Sequence, residues 1–149
     1  MIHSLDLWPL ENFDSCPFIK KFYSGNFEIK YPWEWLKIID KIISASVTTT
    51  SISPKAHIAK TAIIVDPVII ESEAVISDYA KIVGPSYIGK KVTVGNFSLI
   101  RNSVVEKNSV IGYSVDVARS YIGQSCWLSR SHVADSILHD HVNIGGVAC

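Results

Sequence analysis

Between Ile52 and Ile100 a β-branched aliphatic residue stands at every sixth position: Ile52, Ile58, Ile64, Ile70, Ile76, Ile82, Ile88, Val94 and Ile100. Four residues after each comes a small or β-branched side chain: Ala56, Ala62, Val68, Ala74, Ala80, Ser86, Val92, Ser98 and Val104. A lone amphipathic strand would alternate every two residues, and a helix of 3.6 residues per turn would lose phase by the third anchor. A strict period of six predicts a parallel β-helix, in which three hexads make one coil of about 18 residues and like residues stack along the axis. Gly84, Gly89, Gly95, Gly112 and Gly123 fall mainly one or two residues after an anchor. They are expected to turn the corners at positive φ.

After Ile100 the period falters. The anchors continue as Val105, Ile111, Val117, Ile122, Leu128, Val133, Leu138 and Ile144, and four of these steps are five residues long. Either selection on the repeat is loosened towards a chain end, or irregular coils push loops out of the prism, where ligand sites often form. Termination inside a hexad, after Ile144-Gly-Gly-Val-Ala-Cys149, leaves a strand ladder uncovered and reads as truncation.

The first fifty residues do not repeat. Trp8-Pro9, Phe13, Pro17-Phe18, Phe22-Tyr23 and Phe27 suggest an irregular segment anchored by its rings. A helix is predicted over 32–44, with Pro32 at its first position. Trp35, Leu36, Ile38, Ile39, Ile42 and Ile43 lie on one face; Glu34, Lys37, Asp40 and Lys41 lie on the other. Such a face must be covered, so the helix should pack on the β-helix and close its open end as a cap. The division is therefore 1–51, an irregular segment and capping helix, and 52–149, the β-helix.

Fourteen Lys and Arg balance fourteen Asp and Glu. Zero net charge offers nothing to draw nucleic acid or a membrane surface. No apolar run approaches the roughly 20 residues that cross a bilayer, and residues 1–10 lack the regions of a secretory signal. Cys16, Cys126 and Cys149 read as reduced thiols of a cytoplasmic protein. Cys126 falls at an inward small-residue site, Trp127 should point outward and His57 should lie on a coil surface. His139-Asp-His141 lacks the complete ligand set a metal demands, so no metal is expected. Tyr79, Tyr87, Phe97 and Tyr113 fall on prism faces suited to burial against other copies of the chain.

Four stretches carry a family resemblance: Tyr31-Pro-Trp-Glu-Trp-Leu36, Leu99-Ile-Arg-Asn102, Val115-Asp-Val117, and Asp135-Ser-Ile-Leu138 leading to Val142-Asn-Ile-Gly145. With the hexads, they make the chain resemble the hexapeptide-repeat transferases, which are left-handed β-helices assembled as trimers. It is similar in particular to the C-terminal half of the bifunctional N-acetylglucosamine-1-phosphate uridyltransferase/glucosamine-1-phosphate acetyltransferase group and related sugar-1-phosphate nucleotidyltransferases. The resemblance, not the periodicity, supplies the left hand, since crossover connections ordinarily favour the right.

That family's nucleotidyltransferase half carries a glycine-rich phosphate loop. No Gly-x-Gly-Thr-Arg stretch occurs here, so this chain is not expected to transfer nucleotides itself. The acetyltransferase half needs a base for the attacking sugar amine, an oxyanion site and groups that hold a sugar phosphate. The resemblance matches Arg101 to a phosphate-binding arginine, Asn143 to a sugar-contacting asparagine and Gly146 to the small residue beside the acyl-CoA thioester. It also sets Ser129 where the family has its catalytic histidine and Ala118 where it has a substrate-binding lysine, with Arg119 adjacent. His132 stands where a tyrosine is usual.

Two functions follow. In one, the chain is an acyl-CoA-dependent acetyltransferase acting on a sugar phosphate or nucleotide sugar, in amino-sugar and cell-envelope precursor synthesis. His132 is its base, Arg101, Arg119 and Asn143 hold substrate, Gly146 meets acetyl-CoA, and the active unit is a homotrimer. In the other it is a non-catalytic trimerisation or regulatory module beside a separate nucleotidyltransferase domain. Ser129 and Ala118 favour the second; Arg101 and Asn143 favour the first. A histidine at position 132 also has a plain structural role open to it, filling the small-residue site four after Leu128.

Overall fold

The computed structural model describes residues 16–22, 31 and 33–146. Helix α1 spans Pro17–Phe22 and helix α2 spans Glu34–Ser46. Short strands β1–β17 follow, from Ser51–Ile52 to Asn143–Ile144. Every strand pairs in parallel with the strand one coil away, which gives three sheets. Sheet A runs β1-β4-β7-β10-β13-β16, sheet B runs β2-β5-β8-β11-β14-β17, and sheet C runs β3-β6-β9-β12-β15. This is an all-parallel β-solenoid.

The anchors stack as the period requires. Ile52, Ile70, Ile88, Val105, Ile122 and Leu138 are partners up sheet A. Ile58, Ile76, Val94, Ile111, Leu128 and Ile144 do the same in sheet B. Ile64, Ile82, Ile100, Val117 and Val133 stack in sheet C. They meet in one core, where Ile82, Ile88, Ile100, Ile111, Ile122 and Leu128 are all fully buried. Each such side chain contributes roughly 1.5–3 kcal/mol.

The faltering period expels no loop. Ile52 to Ile70 and Ile70 to Ile88 are 18 residues, Ile88 to Val105 and Val105 to Ile122 are 17, and Ile122 to Leu138 is 16, with pairing unbroken. Three of the four short steps lie at the corner from sheet C to sheet A. The first two coils turn there through cis peptides at Asp66-Pro67 and Gly84-Pro85; the later coils turn through Asn102, Arg119 and Asp135, at φ of 46°, 47° and 48°. Behind each of these comes a buried or half-buried serine. Ser103 Oγ donates to Arg101 O (2.7 Å) and accepts from Ser120 N (3.1 Å); Ser120 Oγ donates to Ala118 O (2.7 Å) and accepts from Ser136 N (3.1 Å). The hydroxyls join successive coils where the corner has lost a residue. The slip also moves Val104 to the outer side of sheet A and leaves Ser103 facing inward.

The glycines play a different part from the one expected. No described glycine has positive φ; that conformation falls on side chains such as Glu73, Lys91 and Asn108 instead. A Cβ on Gly95 would lie 2.6 Å from the Gly112 carbonyl carbon, in the backbone of the next coil. Glycine is required there for close approach, not for its φ.

The helices do not cap the end of the prism. Trp35, Ile39, Ile42 and Ile43 pack with Phe18 and Ile19 on the outer side of sheet A, against Ile69, Tyr87, Val104, Tyr121 and Ile137. Ile52, in the first coil, is 42% exposed. Pro32 and most of the N-terminal aromatics lie outside the described residues. Residues 17–22 form a helix where an irregular segment was expected, because Phe18, Ile19 and Phe22 share a face and Pro17 opens it. Phe18 sits 5.0 Å from both Phe22 and Tyr87, ring centre to ring centre, so Tyr87 is buried by the chain's own helix and not by another copy.

One carboxylate ties α1 down. Glu106, 1% exposed, accepts from Phe18 N at 2.8 Å and from Tyr121 Oη at 3.1 Å, and Cys16 Sγ lies 2.9 Å from the same Tyr121 oxygen. Burial raises the Glu106 pKa against these hydrogen bonds. Burial, followed by the nearby Glu106 charge, pushes the Cys16 thiol up to about 12. Cys16 and Cys126 are free, buried thiols, and Cys149 lies outside the described residues.

Candidate functional site

Polar side chains converge on the outer side of sheet C and on its corner with sheet A. In β9 (Leu99–Arg101), β12 (Asp116–Ala118) and β15 (His132–Ala134), Leu99, Asp116 and His132 are partners up one column. Arg101, Ala118 and Ala134 form the next. Alternation turns Ile100, Val117 and Val133 inward and these residues outward.

Asp116 is the hub. Its Oδ2 lies 3.1 Å from His132 Nδ1 and 3.1 Å from Arg101 Nη2. In the neutral imidazole, a hydrogen on Nδ1 donated to this carboxylate leaves Nε2 with the lone pair. The His132 side chain is 61% exposed, so it is not the packed residue of the structural alternative. The five-residue step after Leu128 gives the inward place to Ser131 instead. Arg101 Nε, Asp116 Oδ1 and Ser131 Oγ are buried without a hydrogen-bond partner among the described residues. Two of these, on Arg101 and Asp116, share the outer side of sheet C and depart from the usual accounting of buried groups.

Arg119 and Asp135 stand one corner away, paired twice: Nε to Oδ1 and Nη2 to Oδ2, both at 2.6 Å. That bond raises the Arg119 pKa and lowers that of Asp135, while the charges of Asp116 and His132 add smaller effects in the same directions. Between this corner and α2 lies a cavity of about 230 Å³, lined by Leu36, Lys37, Ile39, Asp40, Asn102, Arg119 and Asp135.

The expected site residues are thus only partly gathered. Arg101 and His132 are joined through Asp116, and Arg119 is a short way off. Asn143 lies on sheet B beside Trp127 in register. Gly146 lies against Ser129 and Arg130, where a Cβ would come 3.2 Å from Arg130 Cβ. Ala118 is fully buried and offers a substrate nothing. Trp127 is 57% exposed and Cys126 is buried, as their places in the hexad predict. Asp116 is the residue that sequence reasoning missed. It precedes His132 by 16 residues, one shortened coil, and counting in the shortened period would have paired them. No group of three or more His, Cys, Asp or Glu fit to hold a metal occurs among the described residues. No described helix is long and apolar enough to cross a membrane.

No protein-family model matches the chain, and neither does any curated protein. Solved structures do match. The acetyltransferase domain of PglB from Neisseria gonorrhoeae FA1090 aligns with a TM-score of 0.67 and 15% identity, over 76% of this chain. This chain spans 60% of that one. A mutant of perosamine N-acetyltransferase from Caulobacter crescentus, in complex with CoA and GDP-perosamine, aligns with a TM-score of 0.50 and 13% identity, over 87% of this chain and 68% of that one. At such identities the likeness is one of fold.

Proposed function

We propose that the chain is an acyl-CoA-dependent acetyltransferase acting on the amine of an amino-sugar phosphate or nucleotide-linked amino sugar, in the cytoplasm, as a homotrimer of left-handed β-helices. The observation that carries this reading is the exposed His132 with Nδ1 held by Asp116. A histidine so oriented presents Nε2 as a general base. The likeness to an acetyltransferase domain, and to an acetyltransferase whose complex holds CoA and a sugar nucleotide, supports the same chemistry. In the proposed step Nε2 takes a proton from the acceptor amine as its nitrogen attacks the thioester carbonyl. The tetrahedral oxyanion then collapses, the carbon–sulfur bond breaks, and the CoA thiolate leaves with the proton. Arg101 and Arg119 offer guanidinium groups to a phosphate. Asn143 and Gly146 lie on and beside sheet B, which suits a cleft completed by a neighbouring prism, with Gly146 at the thioester.

One observation favours the second reading, a non-catalytic trimerisation or regulatory module beside a separate nucleotidyltransferase domain. Ala118 is fully buried and Ser129 takes the place of the expected histidine, so two family site positions carry no chemistry. Thiol release from acetyl-CoA, measured over a panel of amino-sugar phosphates and nucleotide-linked amino sugars, separates the two. Acceptor-dependent turnover supports the enzyme. Silence across the panel from a trimeric preparation supports the module.

A further inference from the structure

The corner from sheet B to sheet C carries a column of side chains that the transfer chemistry does not use. Tyr79 and Phe97 occupy it in consecutive coils, at φ of 58° and 59°. They are 57% and 64% exposed, and their rings lie parallel within 4° with centroids 5.2 Å apart. Ser114, at φ 52°, holds the same place in the next coil. Its N–H donates to Asn96 O as that of Phe97 donates to Asp78 O. The ring that would continue the stack is replaced by a hydroxymethyl group. Among the described residues Tyr79 is the one aromatic ring stacked on Phe97, and the 64% exposure of Phe97 leaves its other face towards solvent.

The two ends of the stack differ in charge. Beyond Tyr79 lies Asp78, whose Oδ1 accepts from Thr61 Oγ1 at 2.7 Å. Beyond Ser114 lies Arg130, with its guanidinium 4.6 Å from the centre of the Tyr113 ring. Coils repeat at about 4.8 Å, which places the Arg130 corner about 10 Å above that of Phe97. A planar ring needs roughly 3.5 Å on each side. One flat group therefore fits at the level of Ser114, and an anion attached to it is drawn towards Arg130 and away from Asp78.

We propose that the free face of Phe97 is a nucleobase-stacking step, on which the base of a nucleotide lies at the level of Ser114 with its phosphates towards Arg130. It stands on residues other than His132, Asp116 and Arg101, and it deepens the acetyltransferase reading in that both the acyl donor and a nucleotide-linked acceptor bring a base. Two sources share this chemistry: the adenine of acyl-CoA and the base of a nucleotide sugar.

Titration calorimetry of the full chain with ADP, UDP and GDP, without acceptor or acyl donor, tests the step. The wild type is expected to bind at least one. Phe97→Ala should weaken that binding roughly five- to 150-fold, the range for losing one base–aromatic stack. Ser114→Phe should abolish it, because a ring at this left-handed position, already tolerated at Tyr79 and Phe97, fills the slot. Thermal midpoints of both variants should match the wild type. Preference for ADP assigns the step to the donor, and preference for UDP or GDP assigns it to the acceptor. No binding by any nucleotide, or binding that both variants leave unmoved, overturns the inference. So does a change in sedimentation on Phe97→Ala with nucleotide affinity intact, which makes the ring pair a contact between copies. Binding needs no turnover, so the step can stand while the transfer reading falls, and the reverse.

Discussion

Replacing Ser120 by alanine probes how the shortened corners are held. Ser120 is 1% exposed; its hydroxyl donates to Ala118 O and accepts from Ser136 N. Ala118 O keeps a second donor, Asp135 N at 3.0 Å, so its loss is small. Ser136 N has no other acceptor among the described residues, and a half-buried donor left bare in this way costs about 1–3 kcal/mol. The change of volume is slight, so the hydrogen bond dominates. For a chain of this length that corresponds to roughly 2–4 °C of thermal midpoint per kcal/mol. Scanning calorimetry with urea unfolding measures the loss, and amide hydrogen exchange at Ser136 localises it. Ser44→Ala, at an exposed position of α2, is the control and should leave the midpoint within a degree. A Ser120→Ala midpoint equal to that of the wild type, with Ser136 exchange unchanged, would refute the reasoning. The hydroxyl ladder would then be a by-product of tight corners and not what holds them.

Other consequences are as direct. Gly95→Ala forces a Cβ against the Gly112 backbone and should cost about 1–3 kcal/mol in urea unfolding, whereas Gly145→Ala, with nothing within 4 Å, should be neutral. Glu106 has a raised folded pKa, so the folded state holds its proton more tightly than the unfolded chain. Its contribution is full below the ordinary carboxylate value and is lost as pH rises through the folded one. Glu106→Gln, which still accepts from Phe18 N, should remove that fall. Unfolding curves of the two proteins that stay parallel with pH would contradict this. Arg119→Ala breaks an exposed pair and should leave the thermal midpoint unmoved while raising the apparent KM for a phosphorylated acceptor.

The solenoid was legible because its signal is long and additive: each aliphatic anchor repeats the same instruction, and Ile64, Ile82 and Ile100 lie over one another as the period of six demands. The corners were less legible, since a five-residue step looks the same whether it displaces a loop or closes a turn. Only the stacked backbone reveals that Ser103 and Ser120 supply the missing hydrogen bonds. The glycines misled because close approach of two coils and positive φ both call for a missing Cβ. The placement of α2 failed because its apolar stripe fixes that it packs, not on what; the apolar outer column Ile69, Tyr87, Val104, Tyr121 and Ile137 was the sign to read. His132 could be picked out by type and Arg101 through the family resemblance, but Asp116 was passed over because a neighbour in space lies a whole coil away in sequence, and that coil had shortened.

The account rests on His132 acting as a base oriented by Asp116. Initial rates of thiol release from acetyl-CoA, for wild type, His132→Ala and Asp116→Asn at saturating acceptor, test it most directly. The account predicts a fall of about 10²–10⁴-fold in kcat for His132→Ala, and a smaller fall for Asp116→Asn, with thermal midpoints near that of the wild type. Turnover undiminished in His132→Ala would contradict it.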